Sequence, residues 1–247
     1  FSAVRFRAGR PDPGLRPPHL AALRAVAALC DAEVEGGAAG AERLSFGPRR
    51  PVAPVEGLLL DAGPGGPVAH LLQAVAWPLA LAGGPSTLTL RGTTHAPGAP
   101  TFHDLALVWA PAAARLGFGV DLSLGLAGFP GGGPGVVSAR VEPAHAMPPL
   151  DLRHRGTLRD VEVLSFTGGG EPLVQRAAER QALHATRALR ALGVPAEARR
   201  VPLPVEGAGG TLLLLVASFE RTRSGHGQVT AREAGQAPEP FLRRVLG

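Results

Sequence analysis

Between Gly57 and Glu142 the sequence switches repeatedly between two apolar periods, and this alternation restricts the fold more than any other feature. Gly57–Asp61 and Ser86–Arg91 read as strands, with the apolar, helix-length run Pro67–Ala82 between them. A second helical stretch spans Thr101–Leu116, followed by strands at Gly119–Leu126 and Val136–Glu142. The order is β-α-β-α-β-β, which suits two helices packed on one face of a four-stranded sheet. The preceding residues repeat part of it. Val4–Arg7 alternates as a strand, His19–Asp31 places Leu20, Leu23, Ala27 and Cys30 on one helical face, and short strands follow at Ala32–Glu35 and Glu42–Phe46. After Pro149 the character changes. A strand at Val161–Phe166, a long helix at Pro172–Leu192 with an arginine-rich outer face, and strands at Ala196–Val201 and Thr211–Phe219 read as a separate small domain. The expected class is α/β (α+β): repeated β-α-β-α-β-β units over 1–158, a small inserted α/β domain over 159–228, and the start of a third unit over 229–247.

Composition narrows the chemistry. All 25 basic residues are arginine, the formal net charge is +5 and the sequence pI is near 11.1. Arginine stays charged and offers a planar fork suited to phosphate. A reaction that adenylates a lysine of this chain is excluded. The single cysteine, Cys30, lies among Val26, Ala27 and Leu29 and reads as a core residue. No apolar run is long enough to span a bilayer and no signal peptide is recognisable, so a cytoplasmic protein is the default expectation.

Three segments can carry a ligand. The first runs from Arg7 through Gly9 and Arg10 to Arg16, Pro17, Pro18 and His19, three arginines and a histidine around the mouth of a helix, where backbone N–H groups and the helix dipole favour an anion. It is the best candidate for a phosphate-bearing ligand. The second, Asp61-Ala-Gly-Pro-Gly-Gly-Pro67, joins a strand to a helix but matches neither the P-loop nor the dinucleotide fingerprint. The third, Gly128-Phe-Pro-Gly-Gly-Gly-Pro-Gly135, reads as a hairpin loop open enough for a nucleotide to approach. Gln73, alone on an apolar helix, reads by itself as solvent-facing. The histidines are scattered. No metal-binding cluster and no Gly-x-Ser-x-Gly elbow is present. His95, His103 and Asp104 flank a proline-rich loop and can meet in space.

Taken in order, these segments resemble the RNA 3′-terminal phosphate cyclase family. The likeness is carried by Arg7-Ala-Gly-Arg10, Pro13-Gly-Leu-Arg16, His19-Leu20, Ala32-Glu-Val-Glu-Gly36 and Leu72-Gln73. It continues through Gly83-Gly-Pro-Ser86, Arg91-Gly-Thr-Thr-His95-Ala-Pro-Gly-Ala-Pro100, Gly128-Phe-Pro-Gly-Gly-Gly133, Arg155-Gly156 and Glu233-Ala-Gly-Gln-Ala-Pro-Glu239. The resemblance implies three β-α-β-α-β-β units plus a small inserted domain. It also implies ATP and Mg2+ or another divalent metal as cofactors, and RNA 3′ ends as partners. In such enzymes a histidine is adenylated, AMP passes to an RNA 3′-phosphate, and the neighbouring 2′-hydroxyl displaces it to leave a 2′,3′-cyclic phosphate. By the same resemblance Arg7, Arg10, His19 and Gln73 contact the nucleotide and its phosphates, and Arg16 the RNA phosphate.

Several family landmarks do not occur in this sequence: the Gly-Glu-Gly-Gly-Gly-Gln opening, the His-Leu-Ala-Asp-Gln motif and the His-Leu-x-Thr-Asn segment that carries the nucleophile. Pro18 stands where the family has glutamine, and the tyrosine of Gly-Phe-Tyr-Pro is missing. No residue is therefore assigned as the nucleophile, and the chain as it stands is expected not to adenylate itself. The alternative expectation is a non-catalytic relative that binds RNA or a ribosome-assembly partner.

Overall fold

The second β-α-β-α-β-β cycle folds as its periods dictate. The computed structural model describes residues 2–3 and 13–231. Within it, β4 (Leu58–Asp61), β5 (Ser86–Gly92), β6 (Val120–Leu126) and β7 (Gly135–Val141) form a four-stranded sheet ordered β4-β5-β7-β6. Only the β4–β5 pair is parallel, joined by the crossover helix α2 (Val68–Ala80). α2 buries Leu71, Leu72, Val75, Ala76 and Leu79 against Leu88 and Leu90 of β5 and Val137, Ala139 and Val141 of β7. Each leucine or valine among them contributes roughly 1.5–3 kcal/mol of apolar burial.

The second helical stretch has three parts: α3 (Phe102–Asp104), a π-turn (Leu105–Trp109) and α4 (Ala110–Arg115). The period marks one helix and misses the π-turn, because one extra residue in a turn hardly disturbs an apolar stripe. Upstream, α1 (Pro17–Cys30) packs against α2 and sends Ala25 and Leu29 into the same core. Cys30 is buried, with its thiol donating to the Val26 carbonyl at 3.3 Å. β1 (Ser2–Ala3), β2 (Glu33–Glu35) and β3 (Leu44–Gly47) make a small antiparallel sheet ordered β1-β3-β2. The strand expected at Val4–Arg7 and the helix expected from Glu233 lie outside the described residues.

A third sheet follows. β8 (Leu158–Gly168), α5 (Pro172–Ala191) and β9 (Ala198–Leu203) form a parallel crossover. β10 (Gly210–Phe219) and β11 (Arg223–Ala231) extend the sheet to the order β11-β10-β8-β9. One face, with Val161, Val163, Leu213 and Leu215, packs on Ala185 and Leu189 of α5. The opposite face, with Leu164, Phe166, Leu212, Leu214 and Val216, packs on Ala127 and Phe129 of the β6–β7 connection. The sequence pattern does not predict the strand β11, which runs across position 228. Its sequence, Arg-Ser-Gly-His-Gly-Gln-Val-Thr-Ala, has two glycines and no apolar alternation. It is an edge strand held by its ladder with β10, and the glycines permit close packing. A Cβ at Gly225 would sit 2.6 Å from Val108, and one at Gly227 would sit 2.9 Å from Leu212.

Candidate functional site

The segment after β5 is pinned at both ends. Thr93, Thr94 and His95 are buried, and the Phe102 N–H donates to the Thr94 carbonyl at 2.9 Å. Thr101 caps α3. Its hydroxyl accepts from the Asp104 N–H at 3.2 Å, and Asp104 Oδ2 accepts from the Thr101 N–H at 2.8 Å and the Thr101 hydroxyl at 2.7 Å. The intervening loop, Ala96–Pro100, is held between these anchors.

His95 and His103 do meet. His95 Nε2 and His103 Nδ1 are 3.1 Å apart, and His95 Nδ1 lies 2.7 Å from the Thr94 hydroxyl. The His95 ring stacks on Phe129 at 4.8 Å, and the His103 ring stacks on Phe166 of β8 at 3.7 Å. The couple therefore bridges the β4–β7 unit, the glycine-rich connection and the third sheet. Burial pushes the His95 imidazolium down to about 3, helped by the adjacent His103, and burial pushes His103 down to about 4. Both rings are neutral near pH 7, and His95 has no solvent exposure. Asp104 does not join them, since its carboxylate is committed to Thr101. The couple serves as a joint, and no group of three or more His, Cys, Asp or Glu side chains able to hold a metal occurs among the described residues.

A cleft of about 590 Å3 opens beside this joint. Gln73 of α2, Pro100 of the pinned loop, Asp104, Trp109 at the end of the π-turn and His226 of β11 line it. Gln73 is half-buried rather than solvent-facing. Apolar walls with a few polar groups, in a volume of this order, match the usual form of a small-molecule site. His226 and Trp109 were not singled out in the sequence. His226 lies more than a hundred residues from Gln73, Pro100, Asp104 and Trp109, and its strand meets them only across the junction between the two sheets.

The other candidates separate. Arg7 and Arg10 lie outside the described residues. Arg16 and His19 stand at the mouth of α1 and do not line the Gln73 cleft. That mouth presents no free backbone donors: Pro17 and Pro18 have none, and the N–H groups of His19 and Leu20 both donate to the Arg16 carbonyl. His19 Nδ1 accepts from the Arg16 N–H at 3.0 Å. An anion at this helix start would meet side chains, not the amide row that helix mouths usually supply. Pro17 and Pro18 instead line a second cavity of about 550 Å3 with Asp61, Gly63 and Pro64, so the first two candidate segments face each other. The third candidate is a hairpin connection, as expected, but it approaches protein backbone. Thr94 and His95 N–H groups donate to the Gly128 carbonyl, Gly133 donates to Glu206, and a Cβ at Gly132 would sit 2.3 Å from the Ala208 oxygen.

Comparison with known sequences gives a single picture. The family model for RNA 3′-terminal phosphate cyclase matches residues 1–238. The chain is 38% identical over 255 residues to a Methylococcus capsulatus protein of that name, covering all of this chain and 69% of the relative. It is 37% identical over 217 residues to the Ralstonia nicotianae protein, covering 87% of this chain and 60% of the relative. A Methanopyrus kandleri protein of the same name is 38% identical over 196 residues, covering 78% of this chain and 53% of the relative. The chain thus spans roughly half to two thirds of the length of these relatives.

Proposed function

Because the chain belongs to the RNA 3′-terminal phosphate cyclase family, we propose that it serves the ATP-dependent conversion of an RNA 3′-phosphate to a 2′,3′-cyclic phosphate. In that reaction ATP transfers AMP to the RNA phosphate and releases pyrophosphate. The vicinal 2′-hydroxyl then attacks the activated phosphorus and releases AMP. The cyclic ester forms at the expense of the ATP anhydride bond.

The observation that carries the reading for this chain is the Gln73 cleft. Its volume and its mixed lining of Pro100, Trp109, Gln73 and Asp104 suit a nucleoside, with flat apolar surfaces for a base and side-chain donors and acceptors for its edges. Arg7, Arg10 and His19 serve the phosphates and Arg16 the RNA terminus. These side chains hold charge in place while it moves between phosphates. A divalent ion neutralises phosphate charge in such reactions. The described residues assemble no cage for one, and Mg2+ is commonly held by one or two carboxylates together with the substrate's own phosphates. No residue of this chain is named as the nucleophile. The relatives carry the cyclase name, and this favours the cyclase reading over the non-catalytic one.

Two measurements test the reading. Trp109 and Trp77 are the two tryptophans of the chain, and Trp109 is the one that lines the cleft. ATP should change the intrinsic fluorescence, Trp109→Phe should abolish the change, and Gln73→Ala should weaken ATP binding about tenfold by removing one hydrogen-bonding group. A wild-type chain that binds no ATP sinks the proposal. Separately, Arg7→Ala with Arg10→Ala should weaken ATP binding about tenfold or more, whereas Arg16→Ala should weaken binding of an RNA ending in a 3′-phosphate and leave a 3′-hydroxyl end much less affected. Unchanged ATP binding would remove Arg7 and Arg10 from the phosphate site, and equal losses for both RNA ends would remove Arg16.

A further inference from the structure

The arginine-rich face of α5 plays no part in the site above. Arg176, Arg180 and Arg187 are exposed and lie on one stripe of the helix. They form no ion pair with any described carboxylate. The acids nearby are already taken: Glu179 pairs with Arg200 at 3.1 Å and Glu197 with Arg190 at 3.9 Å. α5 covers the face of its sheet that points away from the β4–β7 unit, so the stripe looks outward. Three unpaired guanidinium groups on one face make a local positive field that attracts a polyanion.

The stripe is connected to the cleft through one strand. His226 of β11 lines the cleft. Four residues further along the same strand, the Thr230 hydroxyl accepts from Gln181 Nε2 at 3.0 Å, and Gln181 is the neighbour of Arg180 on α5. At about 3.4 Å per residue, His226 in the cleft wall and Thr230, which is bonded beside the middle of the stripe, are about 14 Å apart along β11. The intervening edge is polar, with Gln228 and Thr230. Along α5 the three arginines are separated by about 6 Å and about 10 Å at the helical rise.

We propose that this stripe is a track for the phosphate backbone of single-stranded RNA whose 3′ end meets the nucleotide bound in the cleft. The proposal rests on the RNA reading above and adds the place on the inserted sheet where the RNA body lies. A flexible backbone can follow arginines at these intervals without any base being read, so the contact is electrostatic and independent of sequence. Leu173, Leu183 and Leu192 are also exposed on α5, but they are interrupted by the arginines and form no continuous apolar face of the kind an interfacial membrane helix presents.

The test is binding of a 3′-phosphorylated RNA of roughly 20 nucleotides, followed by fluorescence anisotropy between about 50 and 300 mM KCl. The triple variant Arg176→Gln, Arg180→Gln, Arg187→Gln keeps good helix formers, and circular dichroism verifies its fold. Losing three phosphate contacts should make the plot of log affinity against log salt shallower by about 2. A 3′-phosphorylated trinucleotide, too short to reach from the candidate site to the stripe, should bind both proteins equally. A charge-matched control, Arg49→Gln, Arg140→Gln, Arg153→Gln, should keep the wild-type slope. An unchanged slope in the stripe variant, or the same change in the control, overturns the track and leaves the cleft reading standing. Failure of the wild type to bind either RNA overturns both. Stripe-dependent binding to phosphatidylserine vesicles without any RNA effect assigns the face to a membrane surface and overturns the track.

Discussion

Replacing Phe129 by alanine should lower the free energy of unfolding by about 3–5 kcal/mol, the full cost of truncating a buried aromatic. Phe129 is 2% exposed and is the large side chain that the β6–β7 connection inserts against the third sheet. The surface it meets is cut to its shape by glycine. A Cβ at Gly168 would lie 2.5 Å from its ring, and one at Gly210 would lie 2.7 Å from it. Glycines have no side chain to move into the space, so the cavity stays open and the full cost is felt. The His95 ring also loses its stacking partner. Urea denaturation monitored by far-ultraviolet circular dichroism measures the loss. A change below about 1 kcal/mol would mean that the two sheets are joined chiefly by other contacts.

The second large effect is on pH. His95 and His103 titrate in the folded protein near 3 and 4, and in the unfolded chain near 6.5. From about pH 6.5 down to about 4 the unfolded chain binds more protons than the folded one. The stability present above pH 6.5 is therefore lost as pH falls, at up to about 1.4 kcal/mol per pH unit for each histidine. Below the folded values the two states carry the same protons on these rings and the decline from this source ends. Denaturant titrations between pH 7 and pH 5, above the main carboxylate range, should show this slope, and His103→Gln should roughly halve it. A flat profile in the wild type would show that the rings are charged without cost in the fold.

Much of the architecture is written in local periods. Strand alternation and the apolar run of α2 mark their elements because each buries a face against a neighbour close in sequence. The π-turn and β11 left no such mark. The first is a one-residue change of helical register, and the second owes its position to the ladder of β10. The site divides in the same way. His95 and His103 flank one short loop, so their meeting was legible from spacing. The role of His226 was not, because it depends on how two sheets dock. The helix mouth at His19 shows the opposite failure. The sequence pattern suggested free amides, but two prolines and the Arg16 carbonyl account for all of them.

The strand β10 is covered on both faces and laddered on both edges, and its residues Leu212 to Ala217 are at most 1% exposed. Four leucines followed by valine and alanine, with no charge and no proline, form the kind of segment that recruits copies of itself into cross-β assemblies when bare. The docking of the β4–β7 unit on one of those faces is thus also a guard on solubility. Excised as residues 158–231, the β8–β11 sheet would expose Leu212, Leu214 and Val216 together and should aggregate, whereas the intact chain keeps them out of reach.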